Sequence, residues 1–216
     1  MKKTAFLVLI FAMITPAYGF IYSGAMDNAA LAKNDNYLAV VSKSIKFFTF
    51  SDASAQFNMA HLVVDSKEYP NWHYRITYGT STYMISSEAS KIYGFGLKYD
   101  LFQDVLWLTN IAILCDIDCL NYGSNNVFNN DIMIQIDKKL DFLPMILDIC
   151  YGSAPLEANN FKQSGIVTSF GIKYFLNDLF SASVKADSFT SGSSDAEDYG
   201  IYDNISMTSY ALGINF

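Results

Sequence analysis

The chain has 216 residues, of which 51% are hydrophobic and 16% aromatic, so it can bury a sizeable apolar area, and intrinsic disorder is disfavoured. Lys and Arg number 14 and Asp and Glu 21, and the resulting net charge of -7 argues against a nucleic-acid partner. The 15 Tyr and 17 Phe against four Pro favour strands over helices, so the composition predicts an all-β protein.

The N-terminus has the three parts of a secretory signal peptide. Lys2 and Lys3 give a positive start, residues 5–13 form an apolar run, and residues 17–19 form a small-x-small cleavage site. The apolar run is shorter than the roughly 20 residues that a membrane-spanning helix needs. We therefore expect an exported chain made of a signal peptide (1–19), an N-terminal periplasmic segment (20–37) and a single domain (38–216).

After the signal peptide, apolar and polar residues alternate along several segments, which is the period of a β-strand with two different faces. The pattern predicts ten strands, at about residues 38–50, 53–64, 72–86, 91–101, 104–118, 127–137, 143–153, 163–175, 178–189 and 205–216. Both chain ends and the short turns then fall on one side. The longer connections, rich in Gly, Ser, Asn and Asp, fall on the other side, at residues 119–126, 152–162 and 187–204.

The last strand is the most specific of these segments. It ends the chain at Phe216, and apolar residues precede it at every second position: Tyr210, Leu212 and Ile214. With the even strand count and the unequal connections, this strand resembles those of bacterial outer-membrane β-barrels. The resemblance implies an antiparallel transmembrane β-barrel of about 10 strands, between about 8 and 12, with short periplasmic turns and longer outer loops. It also implies that these four residues are the signal read by the barrel assembly machinery.

The apolar face of the strands is rich in aromatic residues. They are Trp72, Tyr74, Tyr78, Tyr93, Tyr99, Trp107, Tyr151, Tyr174 and Tyr210. In a membrane barrel, aromatic rings at strand ends form girdles at the two interfaces with water. Cross-strand packing inside a soluble β-sandwich is the alternative, because alternation alone does not distinguish the two.

The opposite face carries small and charged residues, which suit the crowded polar interior of a narrow barrel. The predicted lumen charges are Arg75, Lys98, Asp104, Asp131, Asp148, Lys173, Lys185 and Asp187. Charges in such an interior must be paired or hydrated, because an isolated buried ion is costly. These side chains therefore form either a structural plug of salt bridges or a selective path for a small solute.

The sequence contains few residues that indicate a catalytic or metal-binding site. His61 and His73 are the two histidines, and no local motif matches outer-membrane proteases, phospholipases or lipid A deacylases. We expect no catalytic residue, metal or cofactor. Cys119 and Cys150 form a candidate disulfide near the outer rim. Asp116 and Asp118 are also expected at that rim, with Asp195, Glu197, Asp198 and Asp203, as part of an acidic outer end.

These observations predict a non-enzymatic, porin-like protein of the bacterial outer membrane. It would be structural, adhesive or a narrow passage. Its expected partners are outer-membrane lipid, the barrel assembly machinery, and small solutes or surface ligands. Two alternatives stay open. One is an outer-membrane hydrolase that uses a His in the lumen or at the rim, and the other is a soluble periplasmic β-sandwich that binds a ligand.

Overall fold

The computed structural model describes residues 36–48, 53–66, 68–69, 71–83, 86–103, 110–122, 125–140, 142–158, 161–191 and 204–216. The ten strands are β1 Tyr37–Phe48, β2 Ala53–Asp65, β3 Trp72–Tyr83, β4 Ser86–Gln103, β5 Asn110–Tyr122, β6 Asn125–Leu140, β7 Met145–Ala158, β8 Phe161–Phe175, β9 Phe180–Ser191 and β10 Asn204–Asn215. Within these ranges no helix is long and apolar enough to cross a membrane. The signal peptide and most of the segment 20–37 lie outside them.

The strands close into one antiparallel barrel. Each strand pairs with its neighbours in the chain, and β1 also pairs with β10. Asn36 and Phe216 extend this last pairing with reciprocal backbone hydrogen bonds of 3.0 and 2.9 Å. Closure leaves no sheet edge with unpaired backbone groups, which a membrane-spanning sheet requires. The prediction of a ten-strand antiparallel barrel is confirmed, and the β-sandwich fold of the soluble alternative is wrong.

The two ends of the barrel differ in what they carry. The near end holds Asn36, Phe216 and the connections after β2, β4, β6 and β8, and the far end holds the connections after the other strands. The strands reach further toward the far end than predicted. Because β5 ends at Tyr122 and β6 begins at Asn125, most of the predicted loop 119–126 is strand. The same is true of 152–162, since β7 runs to Ala158 and β8 begins at Phe161. Backbone pairing with both neighbours outweighs the turn-like composition of these residues.

The alternation of the sequence becomes an alternation of exposure. In β10, Leu212 is 67% exposed on the outside, while Gly213 and Ala211 face inward and are buried. The exposed large apolar side chains of the strands include Val40, Ile76, Phe95, Ile134, Ile149, Phe170 and Tyr210. The apolar face is therefore the exterior of the barrel, as in transmembrane barrels and unlike a soluble domain.

The interior has two layers of different chemistry. Toward the near end and the middle lie charged side chains, which we call the charged layer and describe below. Toward the far end, the buried inward-facing side chains are mainly apolar, and we call them the far apolar layer: Ile45, Phe57, Ile92, Leu120, Val167, Phe189 and Met207. The expectation of a polar interior is therefore correct for one part only. Alternation identifies the inward positions but does not show how those of different strands group by height.

Candidate functional site

The predicted lumen charges all face inward where the structure describes them. Arg75, Lys98, Asp131, Asp148, Lys173, Lys185 and Asp187 are buried inside the barrel. Asp104 lies outside the described residues. The buried charges that the prediction did not include are Lys43, Asp100, Asp116, Asp118 and Asp137. Each sits at an inward position of its strand, so the alternation itself was the signal that could have found them.

Asp116 and Asp118 require a correction, because the sequence placed them at an acidic outer rim. Both are fully buried inward-facing residues of β5, and both pair with Arg75 of β3. Arg75 Nη2 lies 3.1 Å from Asp116 Oδ1 and 3.6 Å from Asp118 Oδ1. The other acidic residues assigned to that rim lie outside the described residues.

Arg75 on β3 and Asp116 on β5 are separated by strand β4, and a glycine on β4 allows their side chains to meet. Arg75 is level with Gly96 of β4, which is level with Asp116 of β5. Side chains on alternate strands start about 9.6 Å apart, twice the spacing of about 4.8 Å. They meet over Gly96 because it has no side chain, and a Cβ at this position would collide with Asp116 Oδ1. The salt bridge therefore requires a residue without a side chain at position 96.

The opposite wall repeats this arrangement. Lys185 of β9 is level with Gly171 of β8, which is level with Asp148 of β7. Lys185 Nζ lies 2.7 Å from Asp148 Oδ2, and a Cβ on Gly171 would collide with the Asp148 carboxylate. Two walls of the barrel thus use the same order of cation, glycine and aspartate. This small-residue requirement explains why glycines occur on the charged face.

Lys43 and Lys173 are held in different ways. Lys43 Nζ lies 3.1 Å from Asp187 Oδ2, with both side chains fully buried. Lys173 Nζ lies over the ring of Tyr37, 3.6 Å from its centroid, which is a cation–π contact. The Tyr37 ring in turn packs against Gly213, where a Cβ would collide with it. An aromatic ring therefore occupies the lumen at the near end.

His73 lies at the near end between two carboxylates. Its Nδ1 is 2.6 Å from Asp65 Oδ1, and its Nε2 is 2.8 Å from Asp100 Oδ2. Asp100 also accepts a hydrogen bond of 2.6 Å from Asn110 Nδ2 and lies 3.6 Å from Lys98 Nζ. The imidazole links β2, β3 and β4, and both of its nitrogens are engaged with protein groups.

His61 is a buried inward-facing residue of β2. Its Nε2 has no hydrogen-bond partner among the described residues. A hydrolytic site needs a His within hydrogen-bond reach of a nucleophile or an orienting carboxylate. The described surroundings of His61 do not supply one at Nε2. Across the described ranges, no group of three or more His, Cys, Asp or Glu residues is placed to hold a metal ion.

The candidate disulfide between Cys119 and Cys150 is wrong. Cys119 faces outward on β5, Cys150 is buried inside on β7, and both are free thiols, as is Cys115. Through the strand register, Cys150 is level with Ala112, which is about 23 Å from Cys119 at 3.3 Å per residue. The sequence could not reveal this separation, because it depends on the register of three strands.

The C-terminal residues and the aromatic residues lie on the exterior. Tyr210, Leu212, Ile214 and Phe216 are all exposed on the outer face of β10. At the near end, the ring centroids of Trp72 and Tyr99 lie 4.7 Å apart, and Tyr74 of β3 and Tyr174 of β8 lie on the same end on opposite sides of the barrel. The predicted girdle members Tyr78, Tyr93, Tyr151 and Tyr210 are also on the outer face, further along their strands. Trp107 lies outside the described residues.

Comparison with known proteins finds similarity in solved structures. No protein-family model and no curated protein sequence matches this chain. The N-terminal β-barrel domain of Pseudomonas aeruginosa OprF is 11% identical, with a TM-score of 0.36, and the match covers 85% of this chain and 98% of that one. OmpT, an outer membrane protein of Vibrio cholerae, is 11% identical, with a TM-score of 0.37 and coverages of 92% and 72%.

The outer membrane protein Omp33 of Acinetobacter baumannii is 9% identical, with a TM-score of 0.33 and coverages of 85% and 99%. At these identities and TM-scores, the assignment of this chain depends on its own architecture. In the closed sheet, each of the ten described strands is hydrogen-bonded to a strand on both sides, and the large apolar side chains face outward. With that exterior and a charged interior, the chain has the architecture of a transmembrane β-barrel.

Proposed function

We propose that this chain is a non-enzymatic outer-membrane barrel that is closed to solutes at rest and has a structural or adhesive role. The observation that carries the proposal is the packing of the lumen. Inward-facing side chains are buried in both layers: Arg75, Lys43 and Tyr37 are each 0% exposed, and Phe57 and Phe189 of the far apolar layer are 1% and 2% exposed. Narrow barrels of this kind have interiors that side chains can fill, whereas wide ones enclose an aqueous channel.

The engagement of His73 supports a non-enzymatic role over the hydrolase alternative. A general base needs a ring nitrogen that can reach a proton of the substrate. Both nitrogens of His73 instead contact Asp65 and Asp100, and the imidazole is buried. This arrangement suits a link between β2, β3 and β4 at the near end. His61 is buried as well, without a described partner at Nε2.

A narrow passage for small solutes is the second candidate function. The buried charges favour it, because a structural plug does not need an unequal number of cations and anions. Seven Asp but five Lys and Arg are buried among the described residues. Such a passage would require the packed side chains to move apart.

The proposed partners follow from the two surfaces of the barrel. The outward apolar side chains would contact outer-membrane lipid. The exposed C-terminal residues Tyr210, Leu212, Ile214 and Phe216 would bind the barrel assembly machinery during insertion. Surface ligands would bind at the far end, on the side away from the start of β1 and from Phe216, and small solutes would enter only in the second function.

Planar-bilayer recording of the detergent-purified protein tests the proposal. Folding is checked first, by the difference in gel mobility between boiled and unboiled samples. We expect the folded barrel to insert and to show no steady conductance in KCl, with the boiled sample as the control. Steady single-channel steps from the folded wild type would overturn the closed state and favour the narrow passage.

A further inference from the structure

The far apolar layer differs from the charged layer in how it opposes ions. In the charged layer, the cations are Lys and Arg side chains paired mainly with Asp, and such charged groups can exchange a partner for water or for a passing ion. In the far apolar layer, Phe57, Ile92 and Phe189 are at most 2% exposed and belong to one cluster of buried apolar residues. Apolar constrictions exclude ions because they do not hold water, which is a recognised way to gate a pore.

The packing of Phe189 shows how tightly this layer closes. Its ring lies over Gly165 of β8, where a Cβ would collide with the ring. Val167 lies level with Phe189 in the register and is also fully buried. Three strands away from Phe189 around the barrel, Phe57 of β2 is 1% exposed. Large rings and branched chains thus enter the lumen from separate strands at the far end.

The charged layer below it carries an excess of carboxylates. With seven buried Asp and five buried Lys and Arg among the described residues, five positive minus seven negative charges leave two negative charges. His73, when protonated, offsets one of them. Fixed negative charge along a narrow path raises the local concentration of cations and lowers that of anions.

We propose that the barrel contains a cation-selective path that the far apolar layer, rather than the salt bridges, keeps closed. The inference rests on the proposed closed state and names the residues that produce it. It also names the ions that would pass, which are small monovalent cations such as K⁺. The charged layer acts as the selective part of the path and the apolar layer as its gate.

The test compares two matched variants in planar bilayers. The gate variant Phe57→Ala/Phe189→Ala removes two rings and no charge. The bridge variant Lys185→Met/Asp148→Asn removes one ion pair and leaves both the apolar layer and the net charge of the lumen unchanged. We expect the gate variant to conduct, with a several-fold preference for K⁺ over Cl⁻ in a salt gradient, and the bridge variant to stay closed like the wild type.

Four results would overturn one of the two proposals. A conducting wild type contradicts the closed state itself. A closed wild type with a folded but silent gate variant contradicts the gate. Conductance of the bridge variant alone would place the gate in the charged layer, and a gate variant that prefers Cl⁻ would contradict the selectivity. If the double variant shows no heat-dependent change in gel mobility, Ile92→Ala is recorded under the same conditions with the same expected opening.

Discussion

Replacement of Arg75 by Met tests whether buried charge pairing stabilises this barrel. The Arg75 guanidinium lies 3.1 Å from Asp116 and 3.6 Å from Asp118, and none of the three side chains is more than 1% exposed. Arg75→Met retains most of the apolar stem but leaves both carboxylates without this cation. Loss of one partner of a buried pair costs about 3–5 kcal/mol, because the remaining charge is desolvated and uncompensated.

Urea unfolding of the barrel in lipid vesicles, followed by tryptophan fluorescence, measures this effect. With a loss of about 4 kcal/mol and a slope of about 2 kcal/mol per M, the midpoint should fall by about 2 M. The matched control is Arg75→Met with Asp116→Asn and Asp118→Asn, which removes the two carboxylate charges as well. It should recover most of the loss, since neutral replacements of buried ion pairs are often tolerated.

Two outcomes would refute this reasoning. A shift of the Arg75→Met midpoint by less than about 0.5 M would mean that other groups compensate the two carboxylates. A triple variant as unstable as the single one would mean that the shape of the Arg side chain, and not its charge, stabilises the charged layer.

Three further predictions concern other parts of the barrel. Gly171→Ala should lower the free energy of unfolding by about 1–3 kcal/mol in the same urea assay, because the new Cβ displaces the Asp148 carboxylate from Lys185. The control is Ala186→Gly on the outer face. An unchanged midpoint for Gly171→Ala would contradict the role of the glycine. Deletion of Phe216 should reduce the heat-modifiable fraction in outer membranes, since it removes both its outward ring and its backbone pairing with Asn36, and full assembly of the shortened chain would contradict the proposed signal. A water-soluble maleimide should fail to label Cys150 in the folded barrel and should label it after unfolding in urea, as read by mass spectrometry; rapid labelling of the folded protein would show that water reaches the lumen there.

The period-2 alternation of the sequence determined most of the fold. It separated the two faces of strands such as β10 and β8, and its recurrence along the chain predicted ten strands, while the closed barrel was implied by the resemblance to outer-membrane β-barrels. Alternation has this power because adjacent side chains of a strand must point to opposite faces. Alternation alone groups Tyr210 with Leu212 on one face and Arg75 with His73 on one face, and the closed sheet then shows that the first face is outside and the second inside.

The extent of the strands at the far end could not be obtained in this way. Asn, Gly and Ser between residues 119 and 126 favour turns when considered alone, yet β5 and β6 continue through most of this stretch. Its residues form strand because neighbouring strands supply backbone partners, on both sides for Leu120 and Asn121 and from β5 for Asn125. The local composition does not show whether such backbone partners are available.

For the candidate site, too, some features could be obtained from the sequence and others only from the tertiary structure. The sequence determined that charges such as Arg75 and Asp148 lie on the polar face of their strands, because the face of a residue is a property of a single strand. Only the tertiary structure decided that Arg75 reaches Asp116 across Gly96, that Cys119 and Cys150 lie about 23 Å apart along the strands, and that Phe57 and Phe189 belong to one buried apolar cluster. Those relations depend on the register between strands and on the closure of the sheet, which bring together residues that are far apart in the chain.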